Sequence, residues 1–465
     1  MRAGVPNLRR DAGSALVVVM VLAIIMLATV ASVFEFGAQD AGLAAHGARR
    51  AQALYVAEAG LARAYTWLEA QDDPPSDTEQ FWPFGEGADT LAEGAYTTAV
   101  IPDDSNPSGS RKYYTIRCAA TAGDKTRVLE ADVMTQSYAQ FIYFTEDECL
   151  PSSTTPVWFC TQDALDGALH TNGQLHMWGN PQFLGHVSSA FGGPDDSDPT
   201  HSPSFMYYNN DYYNHVQSAA ASNPPHDAPV FGDGYELGTT EIELPDCLDD
   251  LRTLAADGGR TITGNTEIEF SRTNGGSPMY GYMSYRPIGG TTWTDILISS
   301  TNGVVFVTGQ VQVKGVLDGS LTIGSSLDMT ITDDITYRAS DANGPLTGCD
   351  DILGLVSESN ITIADNVPNR TNCTIHAHMM ALNTSFQTQN YRTGSPRGTL
   401  TVHGGIIQRY RGAVGTGTMQ NGHVVISTGY AKSYHYDPRF DLIQPPGYFL
   451  TGKYYKLAWR EVTNA

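Results

Sequence analysis

The sequence predicts an α+β protein that is mainly β, in which a long N-terminal transmembrane helix with a small antiparallel sheet precedes a large parallel β-helix, or β-solenoid, domain. Three observations predict this fold class. An uncharged run lies near the start of the chain, and a proline-free segment with helical periodicity follows it directly. Beyond residue 138, short segments of β-branched residues alternate with Gly, Asn, Asp and Ser. The first two patterns indicate one continuous helix, and the third indicates many short strands.

The uncharged run extends from Ser14 to Phe34 and ends at Glu35. In helical conformation a run of this length reaches about 30 Å, the thickness of the hydrocarbon core of a bilayer. The apolar stretch of a secretory signal is usually shorter, about 7 to 15 residues. Three arginines and one aspartate precede the run. The positive-inside rule therefore predicts a cytoplasmic N-terminus, with the rest of the chain across the membrane.

The segment from Phe36 to Glu69 continues the helix. It contains no proline, and its apolar residues recur at steps of three or four, which places them on one face. These residues are Leu54, Ala57, Leu61, Tyr65 and Leu68. The helix is expected to end before Pro74 and Pro75, because proline lacks an amide donor and biases the preceding residue away from the α region. The predicted helix therefore runs from Ser14 to Glu69.

The composition agrees with export and argues against binding to nucleic acid. Of the 465 residues, 27 are Lys or Arg and 50 are Asp or Glu, which gives a formal net charge of -23. A surface that neutralises phosphates needs clustered cations, and the cations here are scattered. No nucleic-acid partner is expected, and the surplus of carboxylates serves solubility.

Two β-rich regions follow the helix. Residues 95–137 alternate apolar and polar residues between turns, which predicts a small antiparallel sheet on the exposed half of the helix. Residues 301–428 contain brief strands such as "GVVFVTGQVQVKG" and "GTLTVHGGIIQRYRG". Such strands, joined by turns that return the chain in the same direction, predict the coils of a parallel β-solenoid. A β-sandwich is the alternative, since the strand count and turn density fit it almost as well.

The N-terminal region resembles that of PilX-type minor pilins. The resemblance covers a short basic leader ending in Gly13, the uncharged run from Ser14, and "ALYVAEAGLARA" at residues 53–64. It implies cleavage by a prepilin peptidase between Gly13 and Ser14 and methylation of the new N-terminus. It also implies a leader (1–13), a transmembrane and pilin-like helix (14–70) and a small pilin-like β region (71–137). The alternatives are an ordinary membrane anchor and a secretory signal cut after Ala31.

One position departs from the major-pilin pattern. Major pilins carry Glu as the fifth residue after the cut, where this chain has Val18. That carboxylate neutralises the N-terminal ammonium of a neighbouring subunit, and an unpaired charge in lipid is costly. The missing Glu suits a subunit at the filament tip, or this branch of the family simply lacks it. The residues assigned to filament packing are Val18, Glu35, Leu54, Glu58 and Leu61.

Residues 138–460 resemble a C-terminal domain of unknown function found in exported, pilin-like bacterial proteins. The matching stretches include "LHTNGQLHMWGNPQF" at 169–183 and "GYAKSYHYDPRF" at 429–440. The resemblance implies a β-helical exported domain, the head, with no established activity. Asn172 suits a side-chain hydrogen bond to turn backbone, and Gly179 and Gly405 suit positive φ. Asp437 and Arg439 are expected to pair and hold the last strands.

The acidic and basic pairs of the head give no convincing catalytic site. Adjacent residues on a strand point to opposite faces, which separates the acids of each pair. The pairs are Asp333 with Asp334 and Asp350 with Asp351, which are expected in solvated turns. Arg409 and Arg411 would share a face of a strand and would contact either an acidic glycan or nearby carboxylates. The chain is therefore not expected to be an enzyme.

Metal sites and cofactors are not predicted. Two histidine pairs could each face one side, but spacing places no third ligand. They are His170 with His176 and His376 with His378. The acidic segment at 192–201 lacks the Gly and distal Glu of an EF-hand, so it is interpreted as a flexible loop.

Six cysteines follow the predicted anchor, and an even number in an oxidising compartment favours disulfides, although 15 complete connectivities are open. The local pairings Cys149 with Cys160 and Cys349 with Cys373 are the candidates, because each would close a turn-rich excursion between strands. No C-x-x-C occurs, so redox catalysis is unsupported.

The expected function is that of a minor pilin-like protein of a type IV pilus or related secretion filament. Its partners would be other pilins and minor pilins, the prepilin peptidase, inner-membrane lipid before assembly, and a surface or glycan ligand of the head. It would span the inner membrane once and act at the filament tip in assembly or adhesion. The alternative is a membrane-tethered β-helix protein that binds or processes a polysaccharide.

Overall fold

The computed structural model describes residues 12–71, 80–91, 94–103, 112–192, 205–207, 212–213, 229–420 and 423–462. The chain forms two compact units. The first unit comprises Met1–Asp104, Tyr113–Met134 and Lys456–Ala465, and the second comprises Ser105–Lys112 and Thr135–Tyr455. The predicted boundary at residue 460 is corrected, because the residues from Lys456 onward belong to a strand of the first unit's sheet.

One helix, α1 (Ala12–Glu69), fills the N-terminal part of the first unit. It agrees closely with the helix predicted for Ser14 to Glu69. All side chains from Ala15 to Ala51 are exposed. The helix is long and apolar enough to cross a membrane, and its most apolar window is not buried in the fold. An exposed apolar surface of this extent is typical of a segment that is covered by lipid or by another chain.

The C-terminal part of α1 buries a face of small residues. The buried positions are Ala53, Val56, Ala57, Leu61, Ala64 and Leu68. This face is rotated slightly from the predicted one, since Leu54 and Tyr65 are only half-buried. Gly60 also lies on the buried face, where an added Cβ would lie 2.8 Å from a ring carbon of Tyr96 and closer still to the Cys118 thiol.

A five-stranded sheet supplies most of the rest of the first unit. Its order is β1 (Asp89–Leu91), β2 (Gly94–Asp103), β3 (Tyr113–Ala122), β4 (Lys125–Ser137) and β35 (Leu450–Val462). The first four strands pair antiparallel, as predicted for residues 95–137. Burial alternates along β3, where Tyr114, Ile116, Cys118 and Ala120 are buried, so one face of the sheet is apolar.

The described residues of the second unit form mostly short strands, together with one α-helix. Its first group of strands is β5 (Phe141–Asp147), β6 (Phe159–Cys160), β7 (Ala164–Leu165), β8 (Ala168–Thr171), β9 (Leu175–Trp178), β10 (Gln182–Phe183), β11 (Val187–Ser189), β12 (Phe205–Tyr207), β13 (Tyr212–Tyr213), β14 (Val230–Phe231) and β15 (Tyr235–Leu237). The helix α2 (Asp249–Ala256) follows them.

The remaining strands of the second unit follow α2. They are β16 (Arg260–Thr263), β17 (Thr266–Phe270), β18 (Thr273–Asn274), β19 (Ser277–Pro278), β20 (Tyr282–Pro287), β21 (Thr294–Leu297), β22 (Val304–Thr308), β23 (Val311–Leu317), β24 (Ser320–Ser325), β25 (Met329–Tyr337), β26 (Ser340–Asp341), β27 (Gly344–Pro345), β28 (Ile352–Ser357), β29 (Ile361–Ile363), β30 (Cys373–Ala381), β31 (Phe386–Thr388), β32 (Pro396–Tyr410), β33 (Gly415–Gln420) and β34 (His423–His435).

Parallel ladders align apolar residues across many strands of the second unit. One ladder runs through β22, β24, β28, β30, β32, β5, β8 and β11. It places buried side chains in register: Val305, Ile323, Leu355, Met379, Ile406, Tyr143, Leu169 and Val187. The first strand of the unit, β5, thus pairs with β32 from near its end. This continuous apolar row forms the centre of the core.

The prediction of a parallel β-helix is corrected, because the 22-stranded sheet of the second unit is mixed. Antiparallel pairs join β17 to β20, β20 to β21, and β33 to β34. Glycines with positive φ, such as Gly281 and Gly289, reverse the chain around β20 where the prediction assumed turns that preserve its direction. The β-sandwich alternative, which is built from antiparallel pairs, does not account for the parallel ladders either.

Candidate functional site

The residues assigned to processing and filament packing lie along α1. Gly13 and Ser14 are in its first turn, and leader residues 1–11 lie outside the described residues. Val18, Glu35 and Glu58 are exposed. The assignment of Leu61 is corrected, because this side chain is 7% exposed and contributes to the core of its own unit. Leu54 is half-buried.

The thiols of Cys118, Cys149, Cys247, Cys349 and Cys373 form no disulfide in the structure. The candidate disulfides Cys149–Cys160 and Cys349–Cys373 stay predictions. The thiols face groups of their own segments: that of Cys160 lies 3.7 Å from the carbonyl oxygen of Trp158, and that of Cys349 lies 3.5 Å from the carboxylate of Asp351. Cys373 is fully buried in β30, and burial raises the pKa of its thiol, which makes it unreactive.

One member of each acidic pair accepts hydrogen bonds from backbone amides of other segments. Asp351 is 1% exposed, so the expectation of a solvated turn is wrong at this position. Its carboxylate accepts hydrogen bonds from the amides of Gly319, at 2.7 Å, and Ala339, at 3.1 Å. Asp334 accepts a hydrogen bond from the amide of Thr374, at 2.7 Å. The acidic residues Asp195, Asp196 and Asp198 lie outside the described residues.

One histidine of each predicted pair uses both of its ring nitrogens in hydrogen bonds of the fold. Both ring nitrogens of His170 contact protein groups, the Ser188 hydroxyl at 2.7 Å and the Asn172 amide oxygen at 3.0 Å. Both nitrogens of His378 are used in the same way, by the Tyr448 hydroxyl and the Phe141 carbonyl. Within the described segments, no group of three or more His, Cys, Asp or Glu side chains is arranged to hold a metal.

Arg411 and Arg409 lie apart and pair with carboxylates, which confirms the ion-pair alternative. Arg411 is buried, and its guanidinium is 2.6 Å from the carboxylate of Glu148, which has no exposed surface. The guanidinium also lies 3.4 Å from the centre of the Phe159 ring. Arg409 faces Glu146 at 3.4 Å. The pair of Asp437 and Arg439 is also confirmed, at 2.6 Å.

The second unit contains a cavity of about 310 Å³, here named the Trp158–Trp178 cavity. Trp178 of β9 is in register with Cys160 of the parallel strand β6, and Trp158 directly precedes β6; both tryptophans line the cavity. Further lining comes from segments far away in sequence: the turn at residues 390–393, the segment 411–417 and strand β34. Its volume is at the lower end of the range for small-molecule sites.

Charged groups line the Trp158–Trp178 cavity beside its aromatic walls. The ammonium of Lys432 pairs with Asp163, whose carboxylate also accepts a hydrogen bond from the amide of Cys160 at 2.8 Å. The guanidinium of Arg392 lies 5.3 Å from the centre of the Tyr391 ring. The cavity therefore combines aromatic surfaces with fixed donors and acceptors. Sequence analysis missed this cavity. The available signal was that Trp158 and Trp178 both lie beside turn-forming residues, where a tryptophan is less expected to be a core residue.

Comparisons with known proteins match part of the chain to a family of unknown function. A family model described as "Domain of unknown function (DUF4900)" matches residues 107–191, a minor part of the chain. No curated protein matches. Among solved structures, the competence-associated pilin ComZ from Thermus thermophilus matches at 11% identity, with 89% of this chain and 97% of that chain covered and a TM-score of 0.32. Such a TM-score does not establish a shared fold.

Proposed function

We propose that the chain is a membrane-anchored, pilin-like subunit that enters a type IV pilus or a related secretion filament and carries the second unit as an adhesive or assembly head. One observation supports this most strongly. The helix α1 is fully exposed from Ala15 to Ala51 and buries a face against the antiparallel sheet of its own unit from Ala53 to Leu68. The exposed N-terminal part of the helix can thus be covered by lipid or by neighbouring helices. The C-terminal part packs against the sheet of the first unit.

The exposed half of α1 requires a cover. Large apolar side chains such as Leu16, Ile24 and Phe34 are 65%, 61% and 75% exposed. Lipid would cover them before assembly, since the uncharged run matches the thickness of a bilayer. Neighbouring helices would cover them in a filament. We propose the inner membrane as the site of the anchor, with the N-terminus in the cytoplasm as the flanking charges predict.

Position in the filament follows from Val18 and from the size of the second unit. Val18 is 56% exposed and supplies no carboxylate for a neighbour's N-terminal ammonium. The second unit contains the residues from Thr135 to Tyr455. A unit of this size is too large to repeat at the close spacing of the helices in a filament shaft. We therefore propose a few copies at the tip, where the second unit would meet a surface first.

Immunogold labelling of sheared filaments tests this position. Label confined to filament ends is the expected result, and deletion of the chain should reduce the number of filaments or the adhesion of cells. Uniform label along the shaft would contradict the tip position while leaving the filament role intact. Absence of the chain from purified filaments would contradict the filament role itself.

A polysaccharide-binding protein on a membrane tether is the second candidate function. The Trp158–Trp178 cavity favours it, because aromatic walls with a few fixed polar groups are typical of small-molecule sites. The described lining contains a single carboxylate, Asp163, which is already paired with Lys432. A glycosidase uses two carboxylates, so binding without hydrolysis is the form of this candidate that we retain.

A further inference from the structure

We propose that the Trp158–Trp178 cavity binds an acidic saccharide, whose rings lie against Trp158, Trp178 and Tyr391 and whose carboxylate pairs with Arg392. This deepens the proposed adhesive role of the second unit, and its biological use rests on that proposed function. The binding site itself is a property of the second unit alone.

The aromatic walls suit the rings of a saccharide. A pyranose has apolar faces formed by C–H groups and a polar edge formed by hydroxyls. Tyrosine and tryptophan offer a broad apolar face together with a polar group at the edge. Both tryptophans are only partly buried, although tryptophan is highly buried on average. Both of them line the cavity.

Charge decides in favour of an acidic ligand. The cavity is lined by three cationic side chains, Arg392, Arg411 and Lys432, and by one carboxylate, Asp163. The chain as a whole has the opposite balance, with a formal net charge of -23. Arg411 is paired with Glu148 and Lys432 with Asp163, so Arg392 carries the uncompensated positive charge of the described lining, which attracts an anion and disfavours a metal ion.

Arg392 is the cation that is free to bind this anion. Arg411 is paired with Glu148 and Lys432 with Asp163. Arg392 forms no ion pair with a carboxylate of the described chain, and it is exposed. Its Nε donates a hydrogen bond to the Tyr391 hydroxyl at 2.9 Å, which orients the planar guanidinium. Such an oriented fork matches the two oxygens of a carboxylate.

Two hydrogen-bonded turns carry residues that line the cavity. Tyr391 and Arg392 occupy the central positions of a turn in which the Thr393 amide donates to the Asn390 carbonyl at 2.9 Å. On the other side, the Asp163 amide donates to the Cys160 carbonyl at 2.9 Å, and Gln162 within that turn has a φ of 87°.

This φ is costly for a residue with a side chain, and glycine is the usual residue at such a position. Gln162 nevertheless lines the cavity, where its amide supplies both a donor and an acceptor for hydroxyls. The Asp163 and Lys432 pair supplies further donors and acceptors. The polar groups therefore match the hydroxylated edge of a saccharide as well as its acid.

Calorimetric titration of the full chain in lipid nanodiscs, which carry no sugar-headed detergent, tests the proposal. The probes are trimers of galacturonate, glucuronate and mannuronate, each with its carboxyl-reduced, neutral counterpart. At least one acidic trimer should bind saturably and more tightly than its neutral counterpart. Arg392→Gln should weaken that binding at least about tenfold, the size expected for loss of a charge-assisted hydrogen-bonded pair, and should leave binding of the neutral trimer unchanged.

Arg260→Gln is the matched control. Arg260 is also exposed, and its guanidinium lies 6.0 Å from the centre of the Tyr285 ring. It donates a hydrogen bond to the Tyr285 hydroxyl at 2.9 Å. Arg260 does not line the cavity. It should leave affinity unchanged. The proposal is overturned if no acidic trimer binds, if neutral trimers bind equally well, or if both variants have the same effect. The titration needs no filament, so these outcomes do not affect the proposed filament role. If the chain binds an acidic trimer but never enters filaments, only the proposed filament role is contradicted.

Discussion

The imidazole rings of His403 and His435 stack, with centres 5.0 Å apart and planes inclined by 22°. They lie in register on the parallel strands β32 and β34. His376 is in register with His403 on the next strand, β30, and its ring contacts that of His403 edge-on at 4.9 Å. Three histidines therefore form one row across three strands, which we name the histidine row.

The environment of the histidine row favours neutral rings at its buried end. Burial lowers the pKa of His376 to about 4, and the neighbouring His403 adds to this effect. Burial also lowers the pKa of His403. At the exposed end, the hydrogen bond from His435 to the Asp166 carboxylate raises the pKa of His435. The other charged groups that act on the row are Asp341, Asp437 and Arg439.

The histidine row predicts a loss of stability in mild acid. A histidine whose pKa is lowered by folding binds fewer protons in the folded than in the unfolded state, so stability falls as the pH falls below the unfolded pKa. For His376 this loss should run from about pH 6.5 to about pH 4 and reach on the order of 3 kcal/mol. The raised pKa of His435 acts in the opposite direction. Urea unfolding of the full chain at several pH values measures the combined effect of these histidines on the free energy of unfolding.

His376→Asn isolates the contribution of His376. The asparagine amide oxygen can still accept the hydrogen bond that the Tyr337 amide donates to His376, at 3.2 Å, but it does not titrate. The variant should lose less stability than the original chain between pH 7 and pH 4. His186→Asn, at an exposed histidine outside the row, is the control for replacing an imidazole by an amide. Equal pH profiles for His376→Asn and the original chain would contradict this account.

Gly60 predicts a second effect on stability, in the first unit. Gly60→Ala would place a methyl group 2.8 Å from the Tyr96 ring and closer to the Cys118 thiol, so the sheet must shift. Alanine favours a helix over glycine by about 1 kcal/mol, and we expect the clash to outweigh this gain. At Gly47 in the same helix, an added Cβ meets no atom within 4 Å. Gly47→Ala should therefore raise the thermal midpoint and Gly60→Ala should lower it, and equal shifts would contradict the packing described.

The buried pair of Glu148 and Arg411 predicts a non-additive result. Arg411→Met leaves the Glu148 carboxylate buried without its cation, at a cost of about 3–5 kcal/mol. Adding Glu148→Gln removes that charge and should recover part of the loss, because a neutral amide is less costly to bury. The midpoints of urea unfolding compare the two variants. A double variant less stable than Arg411→Met would show that the charge of Glu148 is compensated elsewhere.

Local patterns in the sequence predicted the parts of the fold that depend on neighbouring residues. The bounds of α1 and the antiparallel pairing of β2, β3 and β4 follow from periodicity and turn residues. Gly405 is a residue for which the local pattern predicted the wrong reason for glycine. It was expected to have positive φ, whereas its small size is needed because an added Cβ would clash with the ring of His378 and the Phe141 carbonyl.

Contacts between distant segments were not predictable from local patterns. The pairing of β5 with β32 joins strands more than 250 residues apart, and no turn signal encodes it. The Trp158–Trp178 cavity depends on the same long-range pairing, since Lys432 meets Asp163 only after the fold closes. The burial of Asp351 likewise comes from amides on two other segments.

The processed N-terminus tests the central claim, that the chain is a pilin-like subunit. Mass spectrometry of the protein from its native membrane should find a chain that begins at Ser14 and carries a methylated amine. Gly13→Ala should leave much of the leader attached, because a peptidase at the membrane face needs close approach to a residue without Cβ. A mature chain that retains Met1, or one that begins at Ser32, would contradict the claim.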